Sequence, residues 1–279
     1  MINEKILVPA IFAAFILLEA VTGRFFQKEK GSTRDVVIEV SSSLTIVLIT
    51  VPLIFAVAPL LVEAVRPGSE DALAFLPWWA MLGILLVADD MTQYWWHRAS
   101  HTFPVLYNLH RAHHSGGYLS IRTAYRNNLF YYLFMPGLWL AAILVHLGFY
   151  PVYAVYLVVK MTVIFGAHSA WRWDEALYRV PAFTPVMWVL ERTISTPATH
   201  SAHHGLHKED GVTHYKGNYG NLLFFWDVLF GTAKITRSYP ESYGVENLAP
   251  ATLGQQLMWP VFPENRSNGD TDQAMSDPA

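Results

Sequence analysis

His97-Arg98-Ala99-Ser100-His101 is followed, after residues 102–109, by His110-Arg111-Ala112-His113-His114, and His200-Ser201-Ala202-His203-His204 repeats the second pattern further along the chain. On a helix, residues three and four apart share a face, so each group turns its imidazoles toward one common space. Crowding of this kind points to a metal site, and to helices that present it.

Composition describes the surroundings of that site. Of 279 residues 53% are hydrophobic and 15% charged, and the mean hydropathy is +0.25, a balance that points to a membrane protein. The absence of cysteine excludes disulfides, thiolate-held iron-sulfur clusters and cysteine nucleophiles. Any metal must then be held by nitrogen and oxygen, which suits iron, zinc, manganese or copper. A net charge of −3 gives no reason to expect a nucleic-acid partner.

Outward from the histidines, five apolar segments read as membrane spans: residues 6–22, 44–62, 76–96, 129–147 and 151–167. The first, with Glu4 before it and Arg24 after it, reads as a retained anchor rather than a cleaved signal. The third ends at His97 and the fifth at His168, and the last two, joined at Gly148, are expected to form a hairpin. The first loop carries Arg24, Lys28, Lys30 and Arg34 against Arg66 alone in the second, and basic loops mark the cytoplasmic side. Threading the spans from there brings both His97 and His168 to the cytoplasmic face.

Beyond Trp171 the chain turns mixed polar and aromatic. Residues 184–194 read as an amphipathic helix lying in the membrane interface. From 264 onward the tail lacks the apolar content to fold. The expected architecture is an all-α membrane protein, a transmembrane helix bundle of about four to five spans with a cytoplasmic helical cap carrying a dimetal site. It divides into an N-terminal transmembrane hairpin (1–70), a catalytic core (71–235) and a C-terminal extension (236–279).

Nine residues are candidate ligands: His97, His101, His110, His113, His114, His168, His200, His203 and His204. One structural zinc closes with about four ligands, so this number favours two ions. His207, seven after His200, would share its face unless Gly205 ends the helix, and both readings stay open. His146 reads as a hydrogen-bonded residue near the outer face, and His214 as a loop residue. Asp90 lies two turns before His97 on the same face, where a carboxylate costs about 2.5 to 3.5 kcal/mol at mid-membrane. It bonds either a ligating imidazole or a neighbouring helix. Asp89, about 100 degrees away, has no assigned role. Zinc peptidases carry a glutamate between their paired histidines, and none of these groups holds one. Nor is there a Gly-x-Ser-x-Gly elbow for serine hydrolysis. Neutral imidazole ligands leave a cationic site that can bind oxygen, which moves the reading from hydrolysis toward oxygen activation.

The ordered set closes a family pattern. Asp90 with Tyr94-Trp95-Trp96-His97-Arg98-x-x-His101, Leu109-His110-x-x-His113-His114-Ser115, His168-Ser169, Thr196-Pro197 before His200-x-x-His203-His204, then Asn218-Tyr219-Gly220, Trp226-Asp227 and Phe230-Gly231-Thr232 together resemble the fatty acid hydroxylase and sterol desaturase superfamily of membrane non-haem diiron proteins. The resemblance covers residues 76–232. It implies that the nine histidines ligate two iron ions, with O2 as co-substrate, to hydroxylate a C–H bond of a lipid drawn from the bilayer. Desaturation of a lipid or sterol is the alternative outcome at the same centre, and a non-catalytic metal-binding membrane protein is the reading from another class. Some relatives carry a fused haem-cytochrome domain, and none is expected here. Electrons would come from a separate ferredoxin-like or cytochrome partner with its reductase. The stretches Gly116-Gly117-Tyr118 and Arg126-Asn127-Asn128 are where relatives are expected to differ.

Overall fold

The protein is described by a computed structural model over residues 3–26 and 31–263, so the tail expected to be unfolded lies outside the described residues. Among these residues there is no β-strand, and a single isolated bridge joins Gly205 to Tyr243. The helices are α1 (Glu4–Val21), α2 (Thr33–Val65), α3 (residues 78–102), α4 (Pro104–His114), α5 (Pro136–Leu144), α6 (Tyr150–His168), α7 (Trp173–Tyr178), α8 (Thr184–Thr193), α9 (Pro197–His203), α10 (Phe225–Phe230) and α11 (Leu253–Met258).

Two stretches are long and apolar enough to cross a membrane, Thr33–Val65 and Pro136–His168. The second holds the expected fifth span and residues 136–147 of the expected fourth, whose first residues 129–135 lie before the helix, and it breaks at Gly148 (φ 107°). There the segment before α3 closes on the break, with Asp71 and Leu73 donating their N–H groups to the carbonyls of His146 and Leu147. A Cβ at Gly148 would lie 2.9 Å from Ala74, so both the turn and the approach require glycine. The expected first and third spans are helical but do not meet the same measure. α1 carries Glu4, Lys5 and Glu19, and α3 carries Asp89, Asp90 and Gln93.

Local chemistry sets the ends that matter. Ser32 and Asp35 form a reciprocal cap at the start of α2, with Asp35 N–H donating to Ser32 Oγ and Ser32 N–H to Asp35 Oδ2. Between α3 and α4 only Phe103 is extended, because Pro104 disfavours helical geometry in the residue before it. The two histidine-bearing helices therefore pack directly on each other. Glu19, fully buried at the end of α1, accepts from Ile121 N–H, Ser169 Oγ and Ala170 N–H at 2.9, 3.0 and 2.7 Å. It ties the first helix to the segments after α4 and α6.

Inside α3, Leu86–Met91 forms a π-helical turn. The wider turn rotates both Asp89 and Asp90 inward, and both are buried. Asp89, without an assigned role from its position alone, accepts from Lys160 Nζ at 2.7 Å and Tyr156 Oη at 2.9 Å on α6. Lys160 is thus a further ionisable residue within the apolar segments, neutralised where a lone charge would be costly.

Candidate metal centre

All nine candidate histidines come together. Ring nitrogens of His97, His101, His110, His114 and His203 lie within 4.8 Å of one another, and so do those of His113, His168, His200 and His204. The groups abut, with the rings of His114 and His204 stacked at 4.3 Å between centroids. Spacing on the helices produces this division. On α4, His110 and His114 are one turn apart and face α3, while His113 turns toward α6. On α9, His200 meets His168 and His203 meets His97, with Nε2–Nε2 separations of 3.0 Å in each pair. The short helix is held in place by Thr196, whose hydroxyl accepts from Thr199 N–H, and by buried Asp174, which accepts from Ala198 N–H at 2.9 Å.

Outward hydrogen bonds fix the tautomers. Nδ1 of His97 meets the carbonyl of Tyr219 at 2.8 Å, that of His113 the carbonyl of Arg126 at 3.0 Å, and that of His168 the carbonyl of Ile164 at 2.8 Å. His203 Nδ1 meets the Gly217 carbonyl at 2.7 Å, and His110 Nδ1 meets Asn127 Oδ1 at 2.8 Å. A carbonyl oxygen only accepts, so each Nδ1 carries the proton and each Nε2 turns a bare lone pair inward. His97 and His203 then point lone pairs at each other across 3.0 Å with no proton to share. Two ligands at right angles on an ion with bonds of ~2.1 Å stand ~3.0 Å apart. The donor set therefore fits metal ions that accept imidazole nitrogen, and no carboxylate belongs to either group.

Burial, reinforced by the neighbouring imidazoles, holds His101, His110, His113, His114, His200, His203 and His204 well below the ordinary histidine range. The unfolded chain binds protons at these rings from about pH 6.5 downward and the folded metal-free chain does not. Stability is therefore full above that pH and falls as pH drops below it, by about 1.4 kcal/mol per ring for each pH unit. Metal-stripped protein is expected to unfold on mild acidification, around pH 5 to 6, while metal-loaded protein survives further. Circular dichroism across a pH series with and without metal checks this.

The other predicted residues fall outside the two groups. For His207, whose two readings were open, α9 ends at His203, the chain turns away, and the exposed ring lies outside both groups and bonds Glu246 at 2.6 Å. His146 bonds Glu63 at 2.9 Å and His214 lies in a loop, with Nε2 meeting the Thr232 carbonyl at 3.2 Å. Asp90 touches no imidazole. Its Oδ2 accepts from Trp226 Nε1 at 2.8 Å and Leu223 N–H at 3.2 Å, which is the bond to a neighbouring element. The outer support of the rings comes instead from residues given no such task. Asp227 accepts from Tyr219 N–H, Gly220 N–H and Thr232 Oγ1, and so sets the turn whose carbonyls receive His97 and His203. Arg126 and Asn127 do the same for His113 and His110. Both are buried, and Ser42 Oγ on α2 donates to the Asn127 carbonyl at 2.6 Å.

Supports of this kind change metal affinity by roughly 10–100-fold when removed. Asn127→Ala is expected to weaken metal binding within that range without unfolding the chain, as competition with a chromophoric chelator would measure. An unchanged affinity would mean that the Asn127 bond does not orient His110.

A helical chain built around paired polyhistidine groups is the class that this fold and site define. Residues 82–232 match the fatty acid hydroxylase family, more than half of the chain, and the chain belongs to it. Similar curated proteins include the alkylglycerol monooxygenases of Danio rerio (29% identical over 160 residues, 56% of this chain and 30% of that protein) and Homo sapiens (27% over 226 residues, 79% and 46%). The fatty acid hydroxylase vlmA of Lecanicillium sp is 33% identical over 171 residues, 57% of this chain and 44% of that protein. The chain thus spans under half the length of these relatives. No solved structure matches it.

Proposed function

We propose that the protein is a membrane-bound, O2-dependent hydroxylase of a long-chain lipid, with two iron ions held by five and four imidazoles. The observation that carries this is the division of nine histidines, eight of them buried and His101 partly so, into two adjacent all-nitrogen groups. The names of the relatives, monooxygenases and a hydroxylase, favour hydroxylation over desaturation and make an alkylglycerol or a fatty acyl chain the first substrates to try.

His97, His101, His110, His114 and His203 would hold one ion, and His113, His168, His200 and His204 the other. Iron in such sites supplies the activation of O2 needed to insert one oxygen atom into an unactivated C–H bond. The chain's own part is to hold the Nδ1–H of five rings donated to an outward oxygen, to present Nε2 inward, and to keep water from the rings. The histidine face is assigned to the cytoplasmic side, where a separate ferredoxin-like or cytochrome donor and its reductase would deliver electrons. α1 and α3 join the two long apolar stretches as further spans.

Comparing lipids from cells that produce the protein with those that produce His113→Ala tests the reading. A lipid heavier by one oxygen only with the intact protein is expected. A lipid lighter by two hydrogens would replace hydroxylation by desaturation, and no change in any class with electron donors supplied would remove the catalytic assignment.

A further inference from the structure

Beyond the last histidine group the chain does not simply cover the site. Asp89 bonds Lys160, eight residues before His168 on α6, and Asp89 itself lies eight residues before His97 on α3. At 1.5 Å per residue, both helices place this layer about 12 Å below the histidines along the span direction. The next residue, Asp90, accepts the indole N–H of Trp226, so α10 is pinned at that same depth beside α3. Phe230 of α10 packs on Tyr94 and Trp95, with ring centroids 5.3 and 4.9 Å apart. The opposite side of α10 is bare: Phe225, Val228 and Leu229 are 44%, 41% and 55% exposed.

α8 packs on α10 and likewise bares apolar side chains, with Val186 and Val189 53% and 54% exposed. The end of α8 changes character. Arg192 lays its guanidinium 4.4 Å from the Trp188 ring, and buried Glu191 receives Arg192 and Arg237. An aromatic ring with a cation beside it is the composition of a membrane-water boundary. Exposed apolar side chains on two helices that pack together mark an interaction site.

We propose that α8 and α10 are bedded in the bilayer beside α3, with the acyl chains of membrane lipids as their partner. The segment after the last histidine group then returns to membrane depth and forms part of the wall past which a lipid approaches the ring of Tyr219, 5.5 Å from that of His97. The inference rests on the membrane reading of α6, and its test separates the two.

The chain lacks cysteine, so single cysteines carry spin labels cleanly. Leu229→Cys and Val189→Cys replace exposed side chains, Val159→Cys marks the bare face of α6 at 51% exposure, and Glu209→Cys marks an exposed loop. The full-length protein is reconstituted in phosphatidylcholine liposomes, and collision with oxygen is compared with collision with a water-soluble nickel chelate. The oxygen-to-nickel ratio at Leu229→Cys and Val189→Cys is expected to match Val159→Cys and exceed Glu209→Cys several-fold. Ratios at the level of Glu209→Cys while Val159→Cys stays in lipid overturn the inference alone. Shielding from both reagents also overturns it, by showing a protein partner or second copy on the surface. A nickel-accessible Val159→Cys overturns the membrane reading and this inference together.

Discussion

Alanine at His200 should cost the protein about one bound metal ion per chain, whereas alanine at His101 should leave both in place with the first held less tightly. The asymmetry comes from ligand number. His200 belongs to the group of four, which would fall to three imidazoles, and His101 to the group of five, which would fall to four. Four nitrogens still close a metal site and three leave it open to exchange. His101 is also the least buried of its group, so its loss opens the smallest void. Under the proposed function, both variants should also lose hydroxylation. Elemental analysis after metal loading and desalting reads the difference directly. Equal loss from both variants would show that the two groups bind as one indivisible unit. Full retention in both would remove these residues from the ligand set.

The second large effect lies away from the rings. Lys160→Met leaves Asp89 buried without its cation, and breaking one partner of a buried pair costs about 3–5 kcal/mol. Tyr156 Oη, at 2.9 Å from the same carboxylate oxygen, cannot replace a charge. Asp89→Asn alone strands the ammonium of Lys160 in the same way. The double variant removes both charges, so its loss should be well below the sum of the singles. Unfolding midpoints in a fixed detergent, taken for all four forms, complete the cycle. Additive losses would mean that the ion pair is not what joins α3 to α6.

The two sites differ in how far the amino-acid sequence announced them. The nine ring positions were legible because imidazoles at helical spacing have few other uses, whereas His207 and His214 lie beyond the end of α9, outside both groups, and bond Glu246 and the Thr232 carbonyl instead. The supports of the rings were hidden for a simple reason. Four of the five acceptors at Nδ1 are backbone carbonyls, and a carbonyl leaves no mark in the choice of side chain. Asn127 and Arg126 were visible but read as variable ground, since nothing in residues 126–128 reveals that they fold back onto α4.

Asp89 and Asp90 show a different failure. Regular helical rotation puts one inward and one aside, and the π-helical turn over Leu86–Met91 turns both inward. The spans were legible as apolar segments, and Gly148 as a break between two of them. Among the described residues only Thr33–Val65 and Pro136–His168 are long and apolar enough to cross a membrane, and α1 and α3 carry charged residues whose partners lie in distant parts of the chain. Glu19, paired with backbone 102 and 151 residues away, is the clearest case.

The bond from His97 to the Tyr219 carbonyl joins residues 122 apart in the chain. During synthesis the first histidine therefore waits for nearly the whole family-matching segment before its ring is held. His203 waits for Gly217. A chain interrupted after residue 204 would carry every candidate ligand and still lack the acceptors that aim two of them. A nascent chain shorter than the turn at residues 217–220 would therefore offer these two rings without the acceptors that orient them, a looser set of donors than the folded chain presents.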